Sequence, residues 1–420
     1  MLANMTNVGE TSVPTPSGPP AAQPEHSALL LEHLVIHGPA TRSELATATG
    51  LGRGAIAGLA ARLIDAGVLR PAEHEPSGDG RATPLSLSAA DHVIVTTLLR
   101  PDEAVATIAA LSGEELARFA VPIEADPDDD RPAAAAALDA LGVALTRALA
   151  RAERAQHPIA DITVLVEGAV AGAPPVVITD ARLGAEPVDV LGELRVRTPA
   201  LVAAEPRLLL PLSVEPAAVA AVAAEYAELP GVHDVLYLEG DTGVTAAAVS
   251  GGRALVGAHG LAVSFGHLPV VQGGVRCECG QRGCLATVAA PQIVLERAGL
   301  DAFAAKHGHT AALEELAARI AAAEDRARWS WLDAALWIGR ALQLVVPTLD
   351  PAIVVVGGYW SQFVGDIDTA YRSNRPTIGG GALEPIPSII AARVGPDAGF
   401  LGARRRARDR LIAQPLLLAG

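Results

Sequence analysis

The sequence is poor in lysine, aromatic residues and cysteine. Lys306 is the only lysine among 32 basic residues, and its polar helical surroundings predict a solvated side chain. Aromatic residues make up 3% of the chain, so the core must be built mainly of Ala, Val and Leu. No uninterrupted apolar run of about 18 residues occurs, so no membrane-spanning helix is expected. The first 23 residues lack a basic start followed by an apolar stretch, and the cytoplasm is the expected compartment.

Positive charge is also scarce. The 420 residues carry 47 acidic and 32 basic side chains, a formal net charge of −15. So acidic a surface excludes a protein that coats nucleic acid over its whole area. Contact with nucleic acid would have to be confined to one module, and a chain of this length is expected to hold two or three domains.

The three cysteines lie within eight residues, at Cys277, Cys279 and Cys284. An odd, clustered set is not the disulfide framework of a secreted domain. His267 precedes them by ten residues, and three thiolates with one imidazole suit a tetrahedral, structural Zn²⁺ site. The alternatives are buried free thiols in a glycine-rich turn, or thiols that sense oxidants.

Residues 26–90 predict a small DNA-binding domain that follows a disordered tail over residues 1–25. Three short helices precede a hairpin, the arrangement of a winged helix-turn-helix, in which the second and third helices read DNA. A capping box, Thr41 to Glu44, opens the second helix. The alternative is a helical dimerisation or linker domain.

The charge of this segment supports DNA binding. It holds five basic and six acidic residues, so almost all of the net negative charge lies elsewhere. Arg42, Ser43 and Arg53 stand at helix starts, where they could meet phosphates, and Arg81 lies in the wing, where it could enter a minor groove. The start of the third helix offers Gly54 and Ala55, which have no hydrogen-bonding side chains. We therefore expect binding mainly through phosphates and DNA shape.

Beyond residue 91 the chain alternates strand-like and helical segments, which indicates an α/β body. Its landmarks resemble those of the Repressor, ORF, Kinase (ROK) family, in the branch of transcriptional repressors. The matching stretches include Arg42–Ala46, Gly257–Gly260, Gly266-His267 with Cys277–Leu285, and Val356–Gly358.

The resemblance implies a winged helix-turn-helix followed by a two-lobed actin/hexokinase-like (ribonuclease H-like) body over residues 91–420. Lobe one would comprise about 91–212 plus the C-terminal helix, and lobe two about 213–400. The resemblance also implies a homodimer.

Departures from the family pattern argue against a kinase. The segment that matches the first phosphate loop, Val93–Arg100, lacks its Asp-x-Gly, and the second loop, Gly243–Ala247, has lost two glycines. The catalytic Asn-Asp pair aligns with Pro216 and Ala217, which cannot take a proton. The adjacent Glu215 is expected to be a solvated carboxylate or one that stands at the start of a helix. We therefore expect no enzymatic activity.

The residues that bind sugar in the family have changed as well. Two glutamates of the family pattern are replaced by Ser264 and Ala286, and with Ala217 these positions define a degenerate effector cleft. A cleft that has lost its carboxylates binds sugar hydroxyls poorly, so a more apolar ligand, or none, is expected instead of a sugar or sugar derivative.

These features together predict a DNA-binding transcriptional regulator, a repressor by family resemblance. A two-fold dimer would bind a palindromic double-stranded operator. Two alternatives stand beside this prediction: an ATP-dependent sugar kinase with an added N-terminal module, and a regulator controlled by a protein partner.

Overall fold

The fold is seen in a computed structural model that describes residues 23–72, 83–123, 133–180, 182–184, 186–373 and 387–419. These residues form an N-terminal head and two lobes.

The head is a three-helix unit followed by a short antiparallel hairpin. Its elements are α1 (Gln23–His37), α2 (Arg42–Thr49), α3 (Arg53–Asp65), β1 (Leu69–Pro71) and β2 (Leu85–Leu87). The predicted capping box is present: the Thr41 hydroxyl accepts from the Glu44 amide at 3.3 Å, and the Glu44 carboxylate accepts from the Thr41 amide at 2.8 Å. Helix α1 begins at Gln23, so the last three residues of the expected 1–25 tail are helical. Residues 1–22 and the wing tip, including Arg81, lie outside the described residues.

Lobe one is a five-stranded sheet with its helices. The elements are β3 (Val93–Leu99), β4 (Glu103–Ala110), β5 (Glu115–Pro122), α4 (Ala133–Arg154), β6 (Ile159–Val166), β7 (Ala169–Ala171), β8 (Val176–Ile178), α5 (Val190–Arg197), α6 (Pro199–Ala204) and β9 (Ser213–Pro216). The order in the sheet is β5-β4-β3-β6-β9. We expected lobe two to begin at about residue 213, but β9 pairs in parallel with β6. Lobe one therefore extends to Pro216.

Lobe two repeats this design. Its elements are α7 (Ala217–Ala227), β10 (Val235–Gly240), β11 (Val244–Ser250), β12 (Arg253–Ala254), α8 (Ala286–Ala289), α9 (Pro291–Ala298), α10 (Asp301–His307), α11 (His309–Ala321), α12 (Asp325–Leu349), β13 (Ile353–Gly358), α13 (Val364–Ser373) and β14 (Ser388–Ala391). The last long helix, α14 (Ala398–Ala413), packs on lobe one. The sheet order is β12-β11-β10-β13-β14. In both lobes three antiparallel strands are followed by two parallel ones. The two-lobed fold expected from the sequence is thereby confirmed.

Helices α7 and α14 occupy equivalent places, each following the last strand of a sheet, and they pack against each other between the lobes. Helix α14 also contacts β3 and β6 of lobe one, while α7 contacts β10 and β11 of lobe two. The helices approach so closely at Gly402 that a Cβ there would overlap the backbone oxygen of Ala220. This contact links the lobes through a backbone approach that only glycine permits.

The head and lobe one share one hydrophobic core. Leu31, Ile56 and Leu85 of the head belong to the same buried cluster as Ile94 of β3 and Leu411 of α14. The head is thus packed onto the body. Any change in the position of α14 would reach the helices of the head through this core.

The side chain of Glu215 lies in this region, two residues before α7, so of the two expected alternatives it stands at the start of a helix and is not solvated. It is 13% exposed and accepts from Arg406 at 3.0 Å and from Arg410 at 3.2 Å, both on α14. Arg410 also approaches the buried carboxylate of Asp161 at 3.4 Å. The ion pairs of Glu215 therefore hold α14 against lobe one.

Helix α12 is long and apolar enough, by length and composition, to cross a membrane. Ten of its residues are buried against lobe two, among them Trp331, Ile338 and Leu342. One face of this helix is therefore buried in the core of lobe two.

The close approach of α7 and α14 generates a stability prediction. Gly402→Ala should lower the free energy of unfolding by about 1–3 kcal/mol, because the added methyl group meets backbone that cannot move aside. Gly399→Ala on the same helix is the matched control, since its Cβ would lie 3.4 Å from the Leu165 side chain. The control should be neutral or slightly stabilising because alanine favours helix. Equal denaturant midpoints for the two variants would contradict the assigned contact.

Candidate functional site

His267, Cys277, Cys279 and Cys284 converge on one point. Their ligand atoms all lie within 4.8 Å of one another. The Cys277 Sγ is 3.6 Å from the His267 Nδ1, and the Cys279 Sγ is 3.6 Å from the Cys284 Sγ. Zinc–sulfur bonds of about 2.3 Å in a tetrahedron place neighbouring ligand atoms about 3.7 Å apart. Sulfurs at 3.6 Å are also too far apart for a disulfide, so the geometry fits a four-coordinate metal ion.

The local backbone explains why four side chains converge. His267 ends a short 3₁₀ turn that starts at Phe265, and the Cys277 amide donates to the Gln281 carbonyl at 2.8 Å. Gly280 and Gly283 adopt φ values of +89° and +73°, and a Cβ at Gly283 would overlap the Val271 backbone. The glycines in the cysteine motif therefore bend the loop back on itself.

The electrostatics of this cluster favour neutral groups unless a cation is bound. Burial raises the pKa of Cys277, and burial with the neighbouring thiols raises the pKa of Cys284 to about 12. Burial lowers the pKa of His267. A neutral imidazole is already the form that binds metal, and a divalent cation would supply the positive charge that three thiolates need.

A cavity of about 300 Å³ adjoins the cluster, which we call the small cavity. His267 and Cys277 form part of its wall, and Ser264 and Ala286 also line it. Two of the predicted effector positions are thus brought together beside the candidate metal ligands. The buried hydroxyl of Thr245 also lines this cavity and has no hydrogen-bond partner among the described residues.

The third predicted effector position lies elsewhere. Pro216 and Ala218 line the small cavity, whereas Ala217 lines a neighbouring space of about 790 Å³, the large cavity. Alternate residues at the start of α7 face different neighbours because the helix turns by about 100° per residue. Ser264 and Ala286 therefore lie beside the candidate metal ligands, while Ala217 lies in the wall of the large cavity.

The large cavity lies between the lobes, at the carboxyl ends of their central strands. Arg100 follows β3, Glu167 follows β6, Asp241 follows β10, and Gly358 ends β13; all of them line it. In open α/β sheets this edge is where ligands bind. Arg100 ends the segment that matches the first phosphate loop, whereas the segment that matches the second loop, Gly243–Ala247, lies in the wall of the small cavity.

The walls of the large cavity hold half-buried carboxyl groups that sequence reasoning missed. Burial raises the pKa of Glu167 to about 7, and burial also raises the pKa values of Glu239 and Asp241. The signal was present in the sequence, because Glu167 and Glu239 each interrupt or end an apolar strand. Only the alignment of strand ends from two lobes brings these residues to one cavity.

The predicted DNA contacts lie on the head. Arg42 and Ser43 begin α2, Arg53 begins α3, and all three side chains are exposed. Gly54 and Ala55, also exposed, form the start of α3. This surface therefore offers cations but few groups that could read base edges.

Comparison with known sequences identifies relatives of the body. The sequence profile of the ROK family matches residues 107–410. A glucokinase of Streptomyces coelicolor is 29% identical over 229 residues, which cover 49% of this chain and 69% of that protein. An N-acetylmannosamine kinase of Escherichia coli (strain SE11) is 30% identical over 190 residues, which cover 44% of this chain and 60% of that protein.

Comparison with solved structures extends the similarity from the body to the head. A ROK family transcriptional regulator, described as a homologue of the E. coli MLC protein, aligns with a TM-score of 0.66 at 21% identity, over 94% of this chain and 99% of that one. A ROK hexokinase from Thermus thermophilus aligns with a TM-score of 0.54 at 28% identity, over 76% of this chain and 99% of that one. The resemblance found in the sequence is confirmed, and the chain belongs to the ROK family.

Proposed function

We propose that this protein is a DNA-binding transcriptional regulator of the repressor type, in which a kinase-like body carries out regulation and no phosphate transfer. The observation that carries this proposal is the helix-turn-helix head, with Arg42, Ser43 and Arg53 exposed at the starts of α2 and α3. A helix N-terminus attracts phosphate through its free amides and dipole, and each start here adds a cation. The partner is double-stranded DNA, and the proposed assembly is a cytoplasmic homodimer.

The body supports regulation through its connection to the head. Because α14 shares a core with α1 and also packs on α7, a change in the angle between the lobes would shift the head. An effector would act by binding one lobe arrangement more tightly than the other. The small cavity, with its largely apolar wall and the unpartnered Thr245 hydroxyl, is the proposed place for such an effector.

Zinc is the proposed structural cofactor, held by His267, Cys277, Cys279 and Cys284. With all four positions filled by protein ligands, the ion would supply no catalysis and would order the loop that walls the small cavity.

DNA binding generates the first functional prediction. Arg53→Ala should weaken binding to the operator and reduce the slope of log affinity against log salt by about one for each phosphate that the arginine neutralises. Electrophoretic mobility shifts with DNA from upstream of the protein's own coding region measure both quantities. Arg253→Ala, an exposed arginine on β12 of lobe two, is the control and should change neither. The head assignment fails if the two variants bind alike, or if the unaltered protein prefers no sequence at physiological salt.

The candidate metal centre generates the second functional prediction. Cys279→Ser should release zinc and lower the melting temperature, since structural zinc binding is coupled to folding. Metal analysis by mass spectrometry and thermal unfolding are the measurements. Ser264→Ala, in the same cavity wall but outside the ligand set, should keep one zinc per chain. Undiminished zinc content in Cys279→Ser would refute the ligand set.

An enzyme is the second candidate, favoured by one observation. Glu167 lines both cavities, and its raised pKa of about 7 suits a group that exchanges protons with a substrate hydroxyl. Two observations oppose enzymatic activity. Ala217 stands where the family pattern has its catalytic aspartate, and Glu215 accepts hydrogen bonds from two arginines. Glu239 and Asp241 also line the large cavity together with Arg100, the end of the segment that matches the first phosphate loop.

Coupled ATP turnover with glucose, N-acetylmannosamine and other hexoses separates the two candidates. We expect rates equal to a blank without protein, because anionic phosphates would meet carboxylates in a poorly solvated cavity. Turnover that is abolished by Glu167→Gln but retained by Glu296→Gln, an exposed glutamate on α9, would establish the enzyme instead.

A further inference from the structure

Helix α12 has one covered face and one open face. The covered face packs into the core of lobe two, whereas the opposite face carries large apolar side chains that the described residues leave exposed. Trp329 is 70% exposed, Leu344 54% and Leu336 39%. Apolar side chains that line up on a surface mark an interaction site, and tryptophan is enriched among the residues that contribute most to binding. The open face of α12 therefore has the composition of an interface.

Five exposed residues form one row along this face, which we call the α12 stripe: Trp329, Asp333, Leu336, Arg340 and Leu344. Steps of three or four residues keep all of them on the same side of an α-helix. At a rise of about 1.5 Å per residue the stripe is about 22 Å long. A helix that lies on a membrane keeps its charges opposite its apolar face. Here the two charges stand between the apolar residues, which suits a protein partner.

The α12 stripe is complementary to itself when the helix is reversed. Trp329 lies as far before the midpoint between residues 336 and 337 as Leu344 lies after it, and Asp333 and Arg340 are placed in the same way. In an antiparallel pair of these helices, Trp329 would face Leu344 of the second copy and Asp333 would face Arg340 of the second copy. The two Leu336 side chains would meet at the two-fold axis. An interface between identical subunits requires such self-complementarity.

The charges of the stripe are available for this pairing. Arg340 forms no ion pair among the described residues, and its guanidinium lies 4.6 Å from the centre of the Trp337 ring, along the helix surface. Asp333 accepts from Arg297 of α9 at 2.6 Å, and its side chain remains 48% exposed. A carboxylate has acceptor sites for more than one guanidinium. Asp333 can therefore keep its contact with α9 and accept from a second arginine.

We propose that the α12 stripe binds a second copy of this chain, with the two α12 helices antiparallel across a two-fold axis near Leu336 and with reciprocal Asp333–Arg340 ion pairs. This inference rests on the homodimer of the proposed function and assigns its interface to lobe two. A stable interface buries about 800 Å² of each partner, more than one helix stripe supplies. The stripe would therefore form the centre of the interface, and the surface of lobe two around α12 would form its rim.

Sedimentation velocity of the full chain over a range of concentrations tests the proposal. We expect the unaltered protein to sediment as a dimer, with twice the chain mass of 42.9 kDa. Trp329→Ala should raise the dimer dissociation constant about tenfold or more, because it removes an aromatic side chain from the centre of the interface. Arg340→Asp should also raise it, because like charges would then face each other. Arg328→Asp is the control, since this exposed arginine lies about 100° around the helix from Trp329, and it should leave the constant unchanged.

A double charge exchange tests the antiparallel register. Asp333→Arg combined with Arg340→Asp restores opposite charges across the axis, so this variant should dimerise more tightly than Arg340→Asp alone, although it loses the contact of Asp333 with Arg297. Thermal unfolding checks that each variant is folded. Equal dissociation constants for the double variant and for Arg340→Asp would rule out the register.

Other results would overturn the proposal as a whole. A dimer that Trp329→Ala and Arg340→Asp leave intact would place the interface elsewhere, and the homodimer of the proposed function would stand. An unaltered protein that stays monomeric would remove the interface and the homodimer together, while mobility shifts would report separately on DNA binding by the head. A monomer that sediments with phosphatidylcholine vesicles only when Trp329 is present would identify a lipid surface instead.

Discussion

The close packing of α7 on α14 is the contact on which the rest of the structure depends. Helix α7 lies against the sheet of lobe two, and α14 lies against the sheet of lobe one. Gly402 allows the backbones to touch at Ala220. Because protein interiors are densely packed, such a contact has few alternative arrangements and moves as a unit. The packing of α7 on α14 therefore sets the angle between the lobes.

The same pair links the cleft to the head. Ala217, at the start of α7, lines the large cavity, while Leu411, near the end of α14, lies in the core shared with the head. The ion pairs of Glu215 with Arg406 and Arg410 hold α14 to lobe one along the way. A ligand in either cavity and a DNA duplex bound to the head would thus both act through the α7–α14 helix pair. This arrangement suits a regulator, which must convert occupancy of a cleft into a change at a distant surface.

Local chemistry explains which parts of the fold and site could be predicted from the sequence. The capping box at Thr41 and Glu44, the buried strand at Val93–Leu99 and the glycine-bent cysteine loop each depend on neighbours close in the chain. The sequence predicted no strand over Glu115–Pro122, an edge strand whose inward positions are only half-buried. The two arginine partners of Glu215 could not be predicted because they lie about 190 residues further along the chain.

The sequence by itself determined the family, the two-lobed α/β fold with its helix-turn-helix head, and the four side chains of the candidate metal centre. Motifs and capping residues act over short distances, so their spacing carries the information. Only the tertiary structure decided that the head shares a core with lobe one, that Ala217 lines a different cavity from Ser264 and Ala286, and that Glu167 of lobe one and Glu239 of lobe two line one cavity. Those facts depend on strands and helices from distant segments being brought to one edge, and on burial there that raises the pKa of each carboxyl.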